Sequence, residues 1–299
     1  MKKTEKGMAA SQGRFQKKSE WRVILKRFCR NRLAVFGIIV FTIIVLLVIF
    51  ADFYMDYDAD ALTMHIELQY ASPSPEHIFG ADRLGRDYFA RVIYGGRVSL
   101  SIGLLTVSLA LLIGGSIGAV AAYFGGALDN ILMRIMDIFL AIPSTLMALA
   151  IIATMGSSSV GTLVMALGVV QTPRMARIVR SAVFGVKDAD YIEAARACGT
   201  KNARIILRHI IPNAMGPILV QATQTMSRVI LIIAGLSFIG LGIAEPTPEW
   251  GSMLSVVKTQ MRYYPHLAIA PGVVMGLTVL SITLIGDGLR DAMDPRLRN

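Results

Sequence analysis

The sequence predicts an all-α, polytopic membrane protein with six transmembrane helices and a helical docking loop on the cytoplasmic side. Three observations carry this. Hydrophobic residues make up 54% of the 299 residues and charged residues only 17%, against about 25% charged in soluble globular domains. Mean hydropathy is +0.58. The charges are also segregated, leaving uncharged stretches at 33–51, 98–128, 138–173, 210–227, 229–244 and 263–286. Helices that are apolar all round seldom recur this often in a soluble chain, so a buried soluble core is disfavoured.

Each span follows from length. A hydrocarbon core of about 30 Å takes about 20 helical residues. Residues 33–52 make the first span, and 98–128 make a long second one ending near Gly125-Gly126. The 138–173 run is too long for one helix and breaks at Gly156-Ser157-Ser158-Ser159, giving two spans. The first of these reaches back to about Asn130 and takes in Arg134 and Asp137, whose spacing allows an ion pair on one face. The next span joins two marginal runs over about 213–236 and carries Arg228 inside it. The last covers about 268–286.

Charge then orients the chain. Residues 1–32 hold 11 Lys/Arg and 2 acids, and 174–209 hold 8 and 3, whereas 52–97 hold 4 and 8. Cytoplasmic segments carry the Lys/Arg excess. Six spans with both termini in the cytoplasm put the two strongly basic segments on that side. The expected organisation is a basic cytoplasmic segment at 1–32, the first helix at 33–52, and an external loop with an interfacial helix at 53–97. A five-helix core at 98–287 follows, containing the loop 190–208, and a cytoplasmic tail at 288–299. The first helix reads as an anchor and not a cleaved signal peptide: its basic region is long, its apolar run is full-length, and no small-residue cleavage pattern follows. Cys29 and Cys198 fall in cytoplasmic segments without CxxC spacing, which supports neither a disulfide framework nor a zinc site.

Several chemistries lack their residues. There is no GxxxxGK[ST] loop for a nucleotide phosphate, and His65, His77, His209 and His266 are scattered with no HExxH or Cys/His cluster. Acids of the kind that build proton or sodium relays are nearly absent from the spans, Asp137 and Asp287 lying near cytoplasmic ends. An ion-coupled secondary transporter, the competing reading along with a channel, would place such groups at midplane. The paired acid and base of a membrane enzyme are missing too. The pattern is that of a protein that moves something without an energy source of its own.

The loop between spans four and five offers a handle for one. Asp190 and Glu193 resemble a capping box, so a helix is expected to start there. Ala194, Ala195 and Ala197 make its surface small enough to enter a groove on another protein. Gly199 is suited to end it, Thr200 to cap a second helix, and Pro212 to open a membrane helix. A basic loop lying on anionic headgroups is the plainer alternative.

Glu193-Ala194-Ala195, then Gly199 and the closing Ile211-Pro212, resemble the EAA loop of ATP-binding-cassette (ABC) importer permeases. Four further stretches resemble one branch of that family, the peptide/nickel-type permeases of the DppC/OppC-like class. They are His77 to Asp87 continuing through Gly96 to Leu100; Asp137 with Ala141-Ile142-Pro143; Leu236 to Gly242 with Pro248 to Gly251; and Gly286 to Asp291 with Asp294-Pro295-Arg296. The chain departs from the branch at Ala81, where Thr is frequent. It departs again at Ile232-Ile233, where an acid is common, with Arg228 one turn earlier.

The resemblance implies the type I ABC importer permease fold, with 190–208 as the coupling helix and Glu193, Ala194, Ala195 and Gly199 in contact with an ATPase. It implies a second homologous permease subunit, two ABC ATPase subunits and an external solute-binding protein as partners. ATP and magnesium would sit on the ATPases, with no cofactor on this chain, and the location would be a bacterial-type plasma (inner) membrane. From the residues themselves, Gln221, Gln224 and Arg228 recur at spacings that share one helix face, the best candidates for lining a passage. Arg174, Arg177 and Arg180 read as headgroup anchors of span four. Gly114/Gly118 and Gly272/Gly276 read as close-packing pairs within the chain, and the charges around His77, Asp82, Arg86 and Asp87 as solvated or paired.

Overall fold

The computed structural model describes residues 20–156 and 158–293. Most of the expected basic segment 1–32 lies outside them, as do Ser157 of the break and Asp294, Pro295 and Arg296.

A helix α1 (Glu20–Arg30) leads into α2 (Arg32–Ile49), which is capped by Asn31: its side chain accepts from the amides of Leu33 and Ala34 at 3.1 and 3.2 Å. Short turns follow from Ala51 to Leu68. Next comes α3 (Tyr88–Phe124), started by the Asp87 carboxylate on the amide of Ala90 at 2.8 Å. Its 37 residues measure about 55 Å, more than a hydrocarbon core needs. The interfacial helix expected inside 53–97 is therefore the first turns of α3. Charge did not end the helix because the protein satisfies it: Arg91 donates to the carbonyls of Ala61 and Pro246, and Arg97 to Asp52 and the carbonyl of Val48.

Gly125 and Gly126, both with positive φ, turn the chain into α4 (Gly126–Ala141). Then comes α5 (Ser144–Met155), and the two are bent by 87° about Ile142-Pro143. The expected third span is thus a broken one, because Pro143 offers no amide to continue the ladder and biases Ile142 to extended backbone. Helix α6 (Val160–Phe184), α7 (Asp190–Ala197) and α8 (Asn202–Ile205) follow. A π turn at Ile206–Ile210 runs without interruption into α9 (Ile211–Phe238). Pro212 is the second residue of α9, at the opening of that helix as expected, although the π turn before it joins α8 and α9 into one continuous helical run. Helices α10 (Trp250–Val257) and α11 (Pro265–Met293) complete the chain. Helix α11 extends through residues expected in the tail.

Among the described residues, four helical runs are long and apolar enough to cross a membrane: α2, α3, α8–α9 and α11. The bent pair α4–α5 is a fifth if it counts as one span. Helix α6 has span length, at 25 residues, but Gln171, Arg174, Arg177 and Arg180 make it more polar than the others. It is nonetheless central. Ile102 of α3, Met147 and Ile152 of α5, Leu163 and Leu167 of α6 and Ile233 of α9 form one buried cluster. Gly114 and Gly118 let α3 touch the backbone of α6, since a Cβ at either would collide with the carbonyl oxygens of Thr172 or Ala176. That glycine pair packs within the chain as expected. Gly272 and Gly276 do not: no atom lies within 4 Å of where their Cβ would stand, so the close approach predicted for them is not made inside the chain.

Candidate functional site

Within the loop 190–208, helix α7 is anchored by a single large side chain. Ile192 is fully buried, in a cluster with Val179 and Val183 of α6, Ile205, Ile206 and Ile210. Tyr123 at the end of α3 donates from its hydroxyl to Asn202 Oδ1 at 2.8 Å, and the Arg196 guanidinium lies 5.1 Å from the centre of the Tyr123 ring. With Ile192 turned inward, helical spacing turns Tyr191, Glu193 and Ala194 outward, and all three are exposed. Ala195 is half-buried against the cluster, and Cys198 and Gly199 are exposed.

The local caps differ from expectation. The N-cap is Ala189 in extended backbone, so Asp190 is already the first helical residue and makes no side-chain cap. Its charge and that of Glu193 still lie in the first turn, where the helix dipole favours acids. The second short helix is capped by Lys201 and not by Thr200. Gly199 ends α7 with φ of +73°. An L-residue there is strained by conformation and not by space, for nothing lies within 4 Å of its missing Cβ.

Glu193 makes no ion pair among the described residues. The outer face of α7 carries Asp190, Tyr191, Glu193 and Ala194, all exposed, and neither acid is in an ion pair among the described residues.

Gln221, Gln224 and Arg228 lie along one face of α9 but open onto two cavities. Gln221 and Gln224 line one of about 390 Å³, with Ile178, Val220, Arg290 and Met293. Buried Gln221 donates to Thr225 Oγ1 at 3.0 Å. Arg228 lines a second, of about 410 Å³, with Thr145 and Leu149 of α5 and Leu231, Ile232 and Gly235 of α9.

The arginines of α6 are sorted by depth. Arg180 grips Asp129 of α4 with two hydrogen bonds of 2.5 and 2.6 Å, and Arg177 pairs with Asp137. This corrects two readings: Asp137 pairs across helices and not with Arg134, and two of the three arginines bind α6 to α4 in place of headgroups. Arg174, nearest the middle of the helix, is exposed and has no acid partner among the described residues.

At the Tyr88 end of α3 lies the cluster whose charges the sequence predicts to be solvated or paired. It is paired and mostly buried. Arg86 donates from Nε to Asp82 at 2.7 Å and from Nη2 to Glu245 at 2.9 Å; Arg83 also reaches Glu245, and Arg91 stands 3.4 Å from Asp82. Asp82, Arg86 and Arg91 are almost wholly buried. Burial pushes the Glu245 carboxyl up, but hydrogen bonds and charge from Arg86 and Arg83 outweigh it and hold the group below its ordinary value. His77 Nδ1 meets Asp87 at 2.7 Å. Below the cluster, Glu249 caps α10 on the amides of Gly251 and Ser252 and accepts from Ser99 Oγ at 3.1 Å, while Trp250 Nε1 donates to the carbonyl of Val92. Sequence offered no pointer to Glu245, which stands 159 residues from Arg86.

Residues 85–299 match the family described as the binding-protein-dependent transport system inner membrane component. The chain belongs to that family. Residues 19–73 match the N-terminal transmembrane domain of oligopeptide transport permease C. Among curated relatives, the dipeptide transport system permease protein DppC of Alkalihalophilus pseudofirmus is 42% identical over 281 residues, covering 94% of this chain and 91% of that one. The glutathione transport system permease protein GsiD of Pectobacterium atrosepticum is 38% identical over 282 residues, covering 94% and 93%. Among solved structures, an inward-facing form of the MetNI methionine ABC transporter superimposes with a TM-score of 0.57 at 19% identity, over 68% of this chain and 97% of that chain. An amino acid ABC transporter superimposes with a TM-score of 0.51. The type I ABC importer permease fold is thereby shown, and this family member is a membrane-embedded permease subunit of an ABC importer, not itself catalytic.

Proposed function

We propose that this permease forms half of a translocation pathway for peptides or a related small solute and takes its energy from ATPase subunits docked on residues 190–208. The relatives named for dipeptide and glutathione transport support a peptide-class solute. In this reading the partners are a second homologous permease, two ABC ATPases holding ATP and magnesium, and a solute-binding protein outside. The membrane is a bacterial-type inner membrane with both termini cytoplasmic, which the basic segments support.

The observation that carries the coupling is the two-sidedness of α7. Its outer face of Tyr191, Glu193 and Ala194 is exposed among the described residues, and its inner residue Ile192 is buried between α6 and the root of α9. A partner moving α7 therefore acts on two core helices through one packed side chain. ATP binding and release in the ATPases supply the differential stabilisation of two arrangements of those helices. Co-purification tests this. Glu193→Arg and Gly199→Trp are expected to abolish retention of the ATPases while the permease stays in the membrane; unchanged retention in both would sink the assignment.

A further inference from the structure

Arg228 stands ten residues before the external end of α9 at Phe238, about 15 Å along the axis. Arg228 therefore lies well inside the span and not at its end. One guanidinium nitrogen, Nη1, is buried and has no hydrogen-bond partner. A second arginine, Arg174, lies on the neighbouring helix α6. Neither makes an ion pair among the described residues, although Arg177 and Arg180 of the same α6 are both paired to acids.

A charge at membrane depth faces protein or a water-filled cavity, and Arg228 opens into the cavity of about 410 Å³ between α5 and α9. The other lining residues are apolar except Thr145. An unpaired cation in a largely apolar cavity is complementary to an anion, and an apolar wall strengthens that attraction by excluding water. A fork of five donors suits a carboxylate in particular.

We infer that Arg228 is a transit site for the carboxylate of the transported solute, contacted while that solute passes between α5 and α9. This rests on the proposed permease function and deepens it: peptides carry a free carboxylate, and the site would take solutes with one and disfavour those without. Acids that pair Arg177 and Arg180 hold the fold, whereas the partner of Arg228 arrives with the cargo.

The test uses thiol labelling in membrane vesicles carrying the full chain with its partner subunits. Exposed Cys29 and Cys198 are replaced by Ser, and Leu231→Cys, one turn from Arg228 in the same cavity, becomes the probe. An anionic sulfonate methanethiosulfonate and a cationic trimethylammonium one are compared, each scaled to its rate with a free thiol in solution. The sulfonate is expected to be favoured about tenfold, at the lower end of focusing by charged clefts. Adding Arg228→Gln should abolish that preference. Alanyl-alanine should slow labelling, and its C-terminal amide should not.

A cavity that labels with neither reagent, a preference that survives Arg228→Gln, or equal protection by the amide would each overturn the inference. A scaled ratio near one would do the same, as expected if an acid of a second subunit pairs with Arg228. Failure of the ATPase assignment is read separately from co-purification and leaves the labelling ratio unaffected.

Discussion

In the orientation proposed above, the external end of the permease and its cytoplasmic helix α7 are held by opposite kinds of contact. At the external end, Arg86, Asp82, Arg91, Glu245, Glu249 and Trp250 meet in directional bonds that tie the 65–87 segment, α3 and α10 together. At the cytoplasmic end, α7 is held chiefly by Ile192, with one hydrogen bond from Tyr123 nearby. Apolar contact is non-directional, so Ile192 can shift against α6 and α9 without leaving a polar group unpaired. A buried ionic cluster admits no such drift, because each lost partner exposes an uncompensated charge to a dry interior. The external end is built to keep one geometry, and the cytoplasmic end to pass on displacement.

That contrast predicts unequal responses to mutation, the largest at the external end. Arg86→Met leaves Asp82 and Glu245 without their main partner and should destabilise the permease by about 3–5 kcal/mol, the range for breaking a buried ion pair. The measurement is thermal denaturation of the purified chain in detergent. A loss below about 1 kcal/mol would erase the distinction between the two ends. At the cytoplasmic end, Ile192→Ala should cost about 2–4 kcal/mol, as large-to-small core changes do. Its more telling effect should be functional: ATPases stay bound, yet ATP-driven uptake falls, because the docked helix no longer bears on α6 and α9. Uptake that persists while stability drops would mean that force enters the helices elsewhere.

The cytoplasmic end is legible in sequence because its features are local. Glu193, the alanines and Gly199 lie within seven residues, and Gly199 does take the left-handed backbone that ends α7. What local reading misplaced is the cap, since Ala189 adopts the extended backbone that Asp190 was expected to take. The external end is opaque for the opposite reason: Glu245 and Arg86 meet only through the fold. Charge also misled the reading of α3. Arg91 and Arg97 seemed to exclude residues before 98 from the helix, but partners from 48–61 and Pro246 make them helical and buried or half-buried. The bend of α4–α5 was visible as Pro143, but a continuous apolar run concealed it. Composition registers hydrophobicity, and it does not register a missing amide. The passage stripe is the intermediate case: periodicity placed Gln221, Gln224 and Arg228 on one face, but which cavity each opens onto depends on α5, α6 and α11.

The smallest expected effect concerns acid, and it sharpens the comparison without breaking either end. Glu245 is held below its ordinary carboxylate value, about 4.3, by Arg86 and Arg83 in spite of its burial. A group whose pKa is depressed on folding adds stability that is complete above the unfolded value and is lost as pH falls through the folded one. The external end should therefore hold its full stability from neutral pH down to about 4 and weaken only below it. Glu245→Gln keeps the shape and hydrogen-bonding capacity but removes the titration. Its melting temperature should be lower than that of the wild type at pH 7, and the gap should narrow as the pH falls below the carboxylate range. The cytoplasmic anchor, resting on Ile192, has nothing to protonate, so Ile192→Ala should keep a constant deficit across the same range. A gap for Glu245→Gln that stays constant with pH would show that its carboxylate contributes shape and not charge, and the external end would then be held by Arg86 and Asp82 alone.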